Sequence, residues 1–524
     1  MPELPPRRWN GWGDPAIDYP LPEGGLAYLQ LRVGAGRKIE DAPYDQVLAS
    51  LPPSRLDAAP LVETDAPGRL THARGQSLPD WIALRSGRIG AFPDGVAYPR
   101  SDQDVRRLLD FAARDDVHLI PYGGGTSVVG HINPGTGDRP VLTIDLRRLD
   151  RMLALDEVSC LATFEAGVGG PALERQLAAR GFTLGHFPQS FEGSTLGGWI
   201  ATRSCGQQSL FYGRIEDLFA GGRLETPIGP LELPPFPASA AGPDLRQMAL
   251  GSEGRLGIIT RAVVRVRRRP ALERFSAVFF HTWDEGLQAV RRAVQRGLPA
   301  SMLRLSDAVE TETTFQLAGR PAMVRWAKLG LASLGYGGGP CLLILGATDH
   351  RLRPLALGGL AAGRPIGEMW RRSRFRSPYL RNSLWEAGYA LDTIETAVPW
   401  AQVAPCAEAI LAALRSGLQG EDERVLAFAH LSHVYADGAS VYATYLFRRT
   451  ADPDESLKRW RRLKEAATRA LLFHGGTISH QHGVGSDHAP FLSQEKGLAG
   501  MAALAAACGA LDPDGRMNPG KLLG

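Results

Sequence analysis

The chain predicts an α+β protein: a nucleotide-binding domain at about 90–270, followed by a further region that mixes helices and strands. Three observations predict it. Three loops rich in glycine and small hydroxyl residues lie in one block: Pro121–Gly130 (PYGGGTSVVG), Pro188–Gly198 (PQSFEGSTLGG) and Gly251–Gly257 (GSEGRLG). Strand-like and helix-like stretches alternate through that block. At 524 residues the chain exceeds one ordinary hydrophobic core, so two or three domains are expected.

Residues 1–89 read as a proline-rich lead-in with short helical pieces. The spacing of Val105, Leu108, Leu109 and Ala112 predicts a helix over Ser101–Arg114, with Ser101 or Asp102 as N-cap. His118–Tyr122 reads as a short strand running into the first glycine loop, and Val141–Leu146 as another strand. Gly170–Gly181 reads as a helix ended by glycine. Leu256–Val266 alternates as a strand, and Arg267–Pro270 closes the block. Residues 271–470 mix helices and strands, with another glycine-rich loop at Gly335–Gly339. In the last segment, 451–524, Asp452 caps a helix that has Pro453 in its first turn. Leu457, Trp460, Ala467 and Leu471 mark its buried stripe, and Gly475-Gly476 ends it.

Composition excludes several classes. A net charge of +4 gives no reason to expect a nucleic-acid partner. The five cysteines are far apart and never form CxxC, which argues against a disulfide framework or a zinc-thiolate site and for a reducing compartment. The start, MPELPPRRWNGWG, has no apolar run, so no signal peptide is expected there. The longest charge-free apolar stretch, Leu329–Thr348, is broken by glycines and Pro340 and makes a poor membrane span. Pro321–Leu329 (PAMVRWAKL) is amphipathic, either an ordinary surface helix or a contact with a membrane surface.

Glycine lets backbone N–H groups approach an anion closely, and Ser or Thr adds hydroxyl donors. Three such loops suit a dinucleotide lying along a wall of backbone, and a flavin dinucleotide is the first reading. PYGGGTSVVG is not GxGxxG opening a long helix and lacks GK[ST], so neither a Rossmann fold nor a P-loop is indicated. Alone it could be a tight glycine turn. Its coupling to Ser194-Thr195 and Gly251–Gly254 favours the nucleotide.

Gly476–Gly485 (GTISHQHGVG) holds His480 and His482, which point the same way if the segment is extended. No third ligand has good spacing, so acid–base work is favoured over metal; a structural pair is the alternative. Tyr442 and Tyr445 lie on the strand-like Ser440–Phe447, where core packing is the alternative. Arg304 and Arg381 sit in apolar surroundings. An unpaired buried guanidinium is costly, so each needs an anion: an Asp or Glu of the chain, or a substrate phosphate or carboxylate.

Taken together, these segments resemble the alkyldihydroxyacetonephosphate synthase family of the vanillyl-alcohol oxidase/p-cresol methylhydroxylase flavoprotein superfamily. The likeness runs nearly end to end: RWNGWG (Arg8–Gly13), PYGGGTSV, PQSFEGSTLGGW, YGRIEDL (Tyr212–Leu218), GSEGRLGIIT, the spacing from Arg381 to IETAVPW, SHQHGVG and LDPDGRMNPGKLL. PYGGGTS and GSEG mark only the superfamily, whereas RWNGWG, ETxxPW and SHxHGVG are more specific. The resemblance implies a PCMH-type two-subdomain FAD-binding domain at 90–270 plus an α+β FAD-linked oxidase C-terminal cap domain at 271–450, with 451–524 returning to complete the site. FAD would be held noncovalently. Gly123, Gly124, Gly125 and Thr126 would take the pyrophosphate, flanked by Pro121 and Ser127. Pro188, Gln189, Ser194, Thr195 and Gly198 would run along the cofactor, and Glu253, Gly254 and Ile259 would line its adenine side. Thr126 and Ser127 stand where members that tether flavin often have a histidine.

The implied reaction is an exchange without net redox change. The fatty acid of acyl-dihydroxyacetone phosphate is replaced by a long-chain alcohol, and flavin N5 acts as a nucleophile that splits one hard displacement into two easier ones. His480, His482 and Tyr442 match acid–base positions, Arg381 the phosphate anchor and Arg304 another active-site arginine. No metal is implied. Two departures stand out: Gln481 replaces the middle of three histidines, and Gln189 replaces an acidic residue. Neither titrates, but both keep amide hydrogen bonding. The family resemblance further implies a homodimer, and the simplest setting is a bacterial cytoplasmic protein touching membrane to reach lipid. A FAD-dependent oxidase or dehydrogenase of a 2-hydroxy acid or alcohol would use the same parts, and a flavin-binding protein without catalysis is a third reading. A long apolar tunnel beside the flavin would separate the first reading from the second.

Overall fold

Asp102–Arg114 is helical as its apolar spacing predicts: the Ser101 hydroxyl accepts from the Asp104 N–H, and Val105, Leu108, Leu109 and Ala112 are buried. The computed structural model describes residues 6–57, 59–319, 321–348 and 357–523. The Asp102–Arg114 helix shares a core with a four-stranded sheet made of β1 (Val62–Glu63), β2 (Gly95–Ala97), β3 (His118–Tyr122) and β4 (Val141–Asp145), in the order β1-β2-β4-β3. β2 and β3 run parallel to β4, so β3 delivers the chain into the first glycine loop at one end of the sheet.

The chain then forms β5 (Met152–Asp156), β6 (Leu161–Glu165), β7 (Phe182–Thr183), β8 (Phe219–Thr226), β9 (Gly229–Leu233), β10 (Ile258–Arg265) and β11 (Arg267–Arg268). Five of these make an antiparallel sheet in the order β5-β6-β10-β8-β9, while β7 and β11 pair as a short ribbon. The helix before β7 spans Gly170–Ala178, and Gly181 follows at φ 76°. This second sheet has its own core around Phe164, Leu173, Phe182, Trp199 and Phe219.

The third sheet comprises β12 (Arg274–Phe280), β13 (Ala300–Ser306), β14 (Cys341–Ala347), β15 (Leu360–Gly363), β16 (Tyr389–Pro399), β17 (Leu426–Val434) and β18 (Gly438–Arg448). It is antiparallel, in the order β15-β12-β14-β13-β17-β18-β16. Alternation of side chains decides what each face does. Leu303, Leu305, Leu343, Leu345, Val441, Ala443 and Tyr445 point to one face, into a core shared with the helices Trp283–Gln295, Trp400–Ser416 and Pro453–Phe473. Met302, Arg304, Ile344, Phe428, His430 and Tyr442 point to the other face, which lines a cavity. On the Pro453–Phe473 helix the Asp452 side chain accepts from the Asp454 N–H; Trp460, Ala467 and Leu471 are buried and Leu457 is half-buried.

The lead-in is stitched to both halves. Arg7 Nη1 donates to Gly124 O at 3.1 Å in the nucleotide-binding half, and Ser383 Oγ of the cap donates to Tyr19 O at 2.6 Å. Asn382 clasps Trp12 from both sides, accepting from its N–H and donating to its carbonyl, each at 3.1 Å. Trp12, Tyr19, Pro20 and Pro22 thereby become cavity wall. The C-terminal segment returns to the first sheet: Met517 is in its core, and Asn518 Nδ2 donates to the carbonyls of His131 and Glu253.

Asn382→Ala strips both backbone groups of Trp12 of their partners, a local loss of about 1–3 kcal/mol for each group left buried and unpaired. Limited proteolysis within residues 8–22 is expected to accelerate while the rest of the chain digests as before. Unchanged cleavage there would show that the clasp holds nothing.

Candidate active site

β3 ends at Tyr122, and the next residues meet the loop at Gly193–Thr195. A Cβ on Gly124 would lie 1.6 Å from Gly193 O, and one on Gly123 would lie 2.3 Å from Thr195 Oγ1. Only glycine lets these two backbones touch. The N–H groups of Gly123 to Val129 find no acceptor among the described residues. A run of unpaired donors is a cradle for an anion. Behind it, Ser194 Oγ accepts from Trp199 Nε1 at 2.7 Å, and Thr195 caps the helix Leu196–Ala201.

One cavity of about 890 Å³ runs from this cradle across the face of the seven-stranded sheet. That is near the top of the range of about 300–1,000 Å³ usual for ligand sites. Pro121, Gly123, Gly124, Gly125, Thr126, Ser127, Pro188, Gln189, Ser194, Thr195, Gly198, Glu253, Gly254 and Ile259 all line it. So do Arg304, Arg381, Tyr442 and His482, but not His480. Part of the wall is apolar, built from Leu29, Met302, Phe315, Ile344, Trp370, Phe428 and Leu446. Among the described residues no cluster of three His, Cys, Asp or Glu is arranged to hold a metal ion.

The two histidines do not face the same way. Gln481 and His482 both donate their backbone N–H to Glu395 Oε1, at 2.8 and 2.9 Å, so the segment curls around a carboxylate instead of running extended. His482 lies at the cavity, its ring 5.7 Å from that of Tyr442 and its Nδ1 3.4 Å from Glu395 Oε1. His480 turns away, its Nε2 2.5 Å from Arg214 Nη1 and 2.6 Å from Tyr435 Oη. Burial, then the Arg214 charge, push the His480 imidazole well below its ordinary range. Burial also lowers His482, against the pull of Glu395. Burial raises the Tyr442 phenol, whose hydroxyl donates to Thr393 Oγ1 at 3.2 Å. Tyr445, three residues on, faces the core and donates to Asp392.

The two arginines part company. Arg304 has a chain partner: Nη2 donates to Glu310 Oε1 at 2.7 Å and Nη1 to Ser306 Oγ at 2.8 Å. The same carboxylate holds His430 Nδ1 at 3.1 Å, and the His430 ring stacks on Tyr442 at 4.9 Å. Arg381 donates one N–H to the Gln76 carbonyl and lies over the Trp81 ring at 4.6 Å. Its Nε and Nη2 are buried without an acceptor among the described residues. Burial lowers this guanidinium to about 10.

Glu253, which lines the cavity, also holds the histidine loop. Held at φ 51°, it accepts from the N–H groups of Val484 and Gly485, at 2.5 and 2.8 Å. Gln189 reaches the Ser377 hydroxyl, at the start of the helix Ser377–Glu386. A β-bulge in β17 next to Ser432 turns His433 toward the cavity, where Nε2 meets Gln481 Oε1 at 3.0 Å and Nδ1 meets Ser209 Oγ at 3.0 Å and Cys205 Sγ at 3.3 Å. Burial drops His433 to about 3 and raises the Cys205 thiol to about 11. Sequence reading passed over Glu395, Glu310, Arg214 and His433. Glu395 left a trace inside IETAVPW and Arg214 one inside YGRIEDL, but neither was singled out.

Comparison with known proteins agrees with this geometry. Residues 93–231 match the FAD binding domain family, and residues 269–522 match the FAD linked oxidases, C-terminal domain family. The alkyldihydroxyacetonephosphate synthase of Trypanosoma brucei brucei is 30% identical, over 98% of this chain and 92% of its own. That of Caenorhabditis elegans is 33% identical, over 85% of this chain and 78% of its own. A solved structure of alkyldihydroxyacetonephosphate synthase superposes with a TM-score of 0.81 at 27% identity, covering 98% of both chains. With its FAD-binding half, its oxidase-type cap and these relatives along nearly its whole length, the chain belongs to the alkyldihydroxyacetonephosphate synthase family of FAD-dependent enzymes.

Proposed function

We propose that this protein replaces the acyl group of acyl-dihydroxyacetone phosphate with a fatty alcohol, yielding an ether-linked lipid and a free fatty acid. The observation that carries the reading is one cavity that joins an anion cradle, an unpaired guanidinium and a long apolar wall. A small hydroxy acid needs no such wall. An alkyl chain does, since each methylene moved out of water gains about 0.8 kcal/mol.

The residues present fit FAD. Gly123 to Val129 offer unpaired N–H groups to its pyrophosphate, and Gly123 and Gly124 leave no room for a side chain. Noncovalent attachment is supported by the glycine loop, where Thr126 and Ser127 carry no imidazole, and by His131 after it, whose Nδ1 is engaged by Ser127 Oγ at 2.7 Å. Bound FAD supplies a nucleophilic ring nitrogen.

The chain's own groups divide the rest. Arg381 meets the substrate phosphate with the two donors it has left, in the forked geometry that suits guanidinium and phosphate. Arg304 is already neutralised by Glu310, so it orients His430 beneath Tyr442 instead of anchoring the anion. His482, held neutral by burial, has a lone pair to take the proton of the incoming alcohol. The Tyr442 phenol stays protonated and serves as a donor. Access from a lipid surface is supported by the helix Pro321–Ser333, where Trp326 is 73% exposed and Leu329 is exposed beside it. No helix among the described residues is long and apolar enough to cross a membrane.

Acyl-dihydroxyacetone phosphate added anaerobically is expected to bleach the oxidised flavin and release fatty acid with no electron acceptor present. An unchanged spectrum, with dye-coupled turnover of a 2-hydroxy acid instead, would overturn the proposal. Arg381→Ala is expected to raise KM about 10–100-fold with kcat altered less, the cost of one charge-assisted contact; an unaltered KM would remove Arg381 as the anchor. Trp326→Asp is expected to release the protein from lipid vesicles in cosedimentation while leaving turnover of detergent-dispersed substrate intact. Equal vesicle binding would count against that surface.

A further inference from the structure

We propose that Glu395 is the positioning residue of this site: its buried Oε1 accepts from the N–H groups of Gln481 and His482 and lies 3.4 Å from His482 Nδ1, so one oxygen fixes both the backbone of the loop and the aim of the ring. The inference rests on the reading of His482 as the proton carrier. Glu395 is 1% exposed and does not line the cavity, so it acts through His482 and not on substrate.

Strand register puts it there. Glu395 of β16 is opposite Tyr442 of β18, and Tyr442 is opposite His430 of β17. Residues directly opposite share a face, so His430, Tyr442 and Glu395 form one row across three strands. The histidine loop crosses the Glu395 end of that row.

Hydrogen-bond chemistry settles which protons sit where. A guanidinium only donates, so His480 Nε2, 2.5 Å from Arg214 Nη1, is an acceptor, and the neutral ring carries its proton on Nδ1. That Nδ1 is 3.9 Å from Glu395 Oε2, and neither atom has a hydrogen-bond partner among the described residues. Glu395 is thus set between two imidazoles. On the His482 side it holds the proton on Nδ1 and leaves the Nε2 lone pair for the cavity, the arrangement by which a carboxylate orients a catalytic imidazole. Other charged or titratable groups act on His482 as well: Asp392 of β16, Lys464 of the Pro453–Phe473 helix, His131 after the glycine loop, and the neighbouring His480, His488 and Tyr442. Glu395 and Asp392 favour the protonated ring, while Lys464 and His131 oppose it.

The test is Glu395→Gln in the FAD-loaded protein, which keeps an acceptor for the two N–H groups and removes the charge. With histidine labelled for NMR, the His482 midpoint is expected to fall by about 1–3 pH units. The acid limb of kcat should move down with it, because the neutral ring is the active form, and the plateau should drop as the base weakens. In a His482→Ala background the same change should add no further loss. An unmoved midpoint, or a loss that adds fully to that of His482→Ala, would overturn the assignment. If Glu395→Gln does not accumulate, Glu395→Asp draws the charge back by one methylene, and a midpoint unmoved in that variant would overturn it equally. The titration needs no substrate, so it stands or falls separately from the proposed lipid chemistry.

Discussion

Four consecutive or near-consecutive N–H groups, those of Gln481, His482, Val484 and Gly485, end on two buried carboxylates, and the rest of the site depends on that grip. Glu395 comes from the cap sheet and Glu253 from the nucleotide-binding half. Hydrogen bonds to charged groups contribute about 1.5–3 kcal/mol each, and a buried carboxylate left without them would be costly. Neither half can leave the loop without exposing or stranding its own charge. The cavity is therefore one space with one wall from each half, and the imidazole that faces it is fixed relative to both.

The sheet supplies the second constraint, through its period of two. Every other residue of β13, β14, β17 and β18 is committed to the helix-packed core, which leaves the alternate set free to be chemically varied. Along that set the apolar Met302, Ile344, Phe428 and Leu446 lie on the same face as Arg304, His430 and Tyr442. A greasy surface and a titratable one are thus adjacent by register alone. The two arginines show how the polar part is balanced. Glu310 satisfies Arg304, whereas Arg381 keeps two donors open in a place where burial already opposes its charge. A group held at such cost in the free protein is stabilised when an anion arrives, so its binding is favoured by the relief as well as by the contact.

Much of this was legible in the chain. The helix over Asp102–Arg114, the strand His118–Tyr122 before the glycine loop and the Asp452 cap follow from local spacing and capping chemistry, and the glycines of the phosphate loop announced a backbone contact. The histidine pair was read less well. Two residues two apart share a face only in extended chain, and the carboxylate that bends this segment is 86 and 87 residues away in sequence from the two N–H groups it holds. Long-range partners were the general blind spot. Glu310 beside Arg304, Arg214 beside His480 and Asn382 around Trp12 are set by tertiary placement, for which no local pattern exists. The bulge that turns His433 is equally silent in sequence.

Gln481 shows how a departure can be read once its neighbours are placed. Gln481 Oε1 can only accept, so the His433 Nε2 that meets it carries the ring proton, and Nδ1 is left to accept from the Ser209 hydroxyl. The amide's NH₂ end, with its donors, is turned from His433, on a residue that lines the cavity. A histidine at this position could gain a proton beside Arg214 and beside two imidazoles already pushed far down by burial. A second cation in that pocket would be opposed by the first. Glutamine gives a donor of fixed direction and no charge, so the loop keeps a hydrogen-bonding group there at every pH, next to the imidazole of His482.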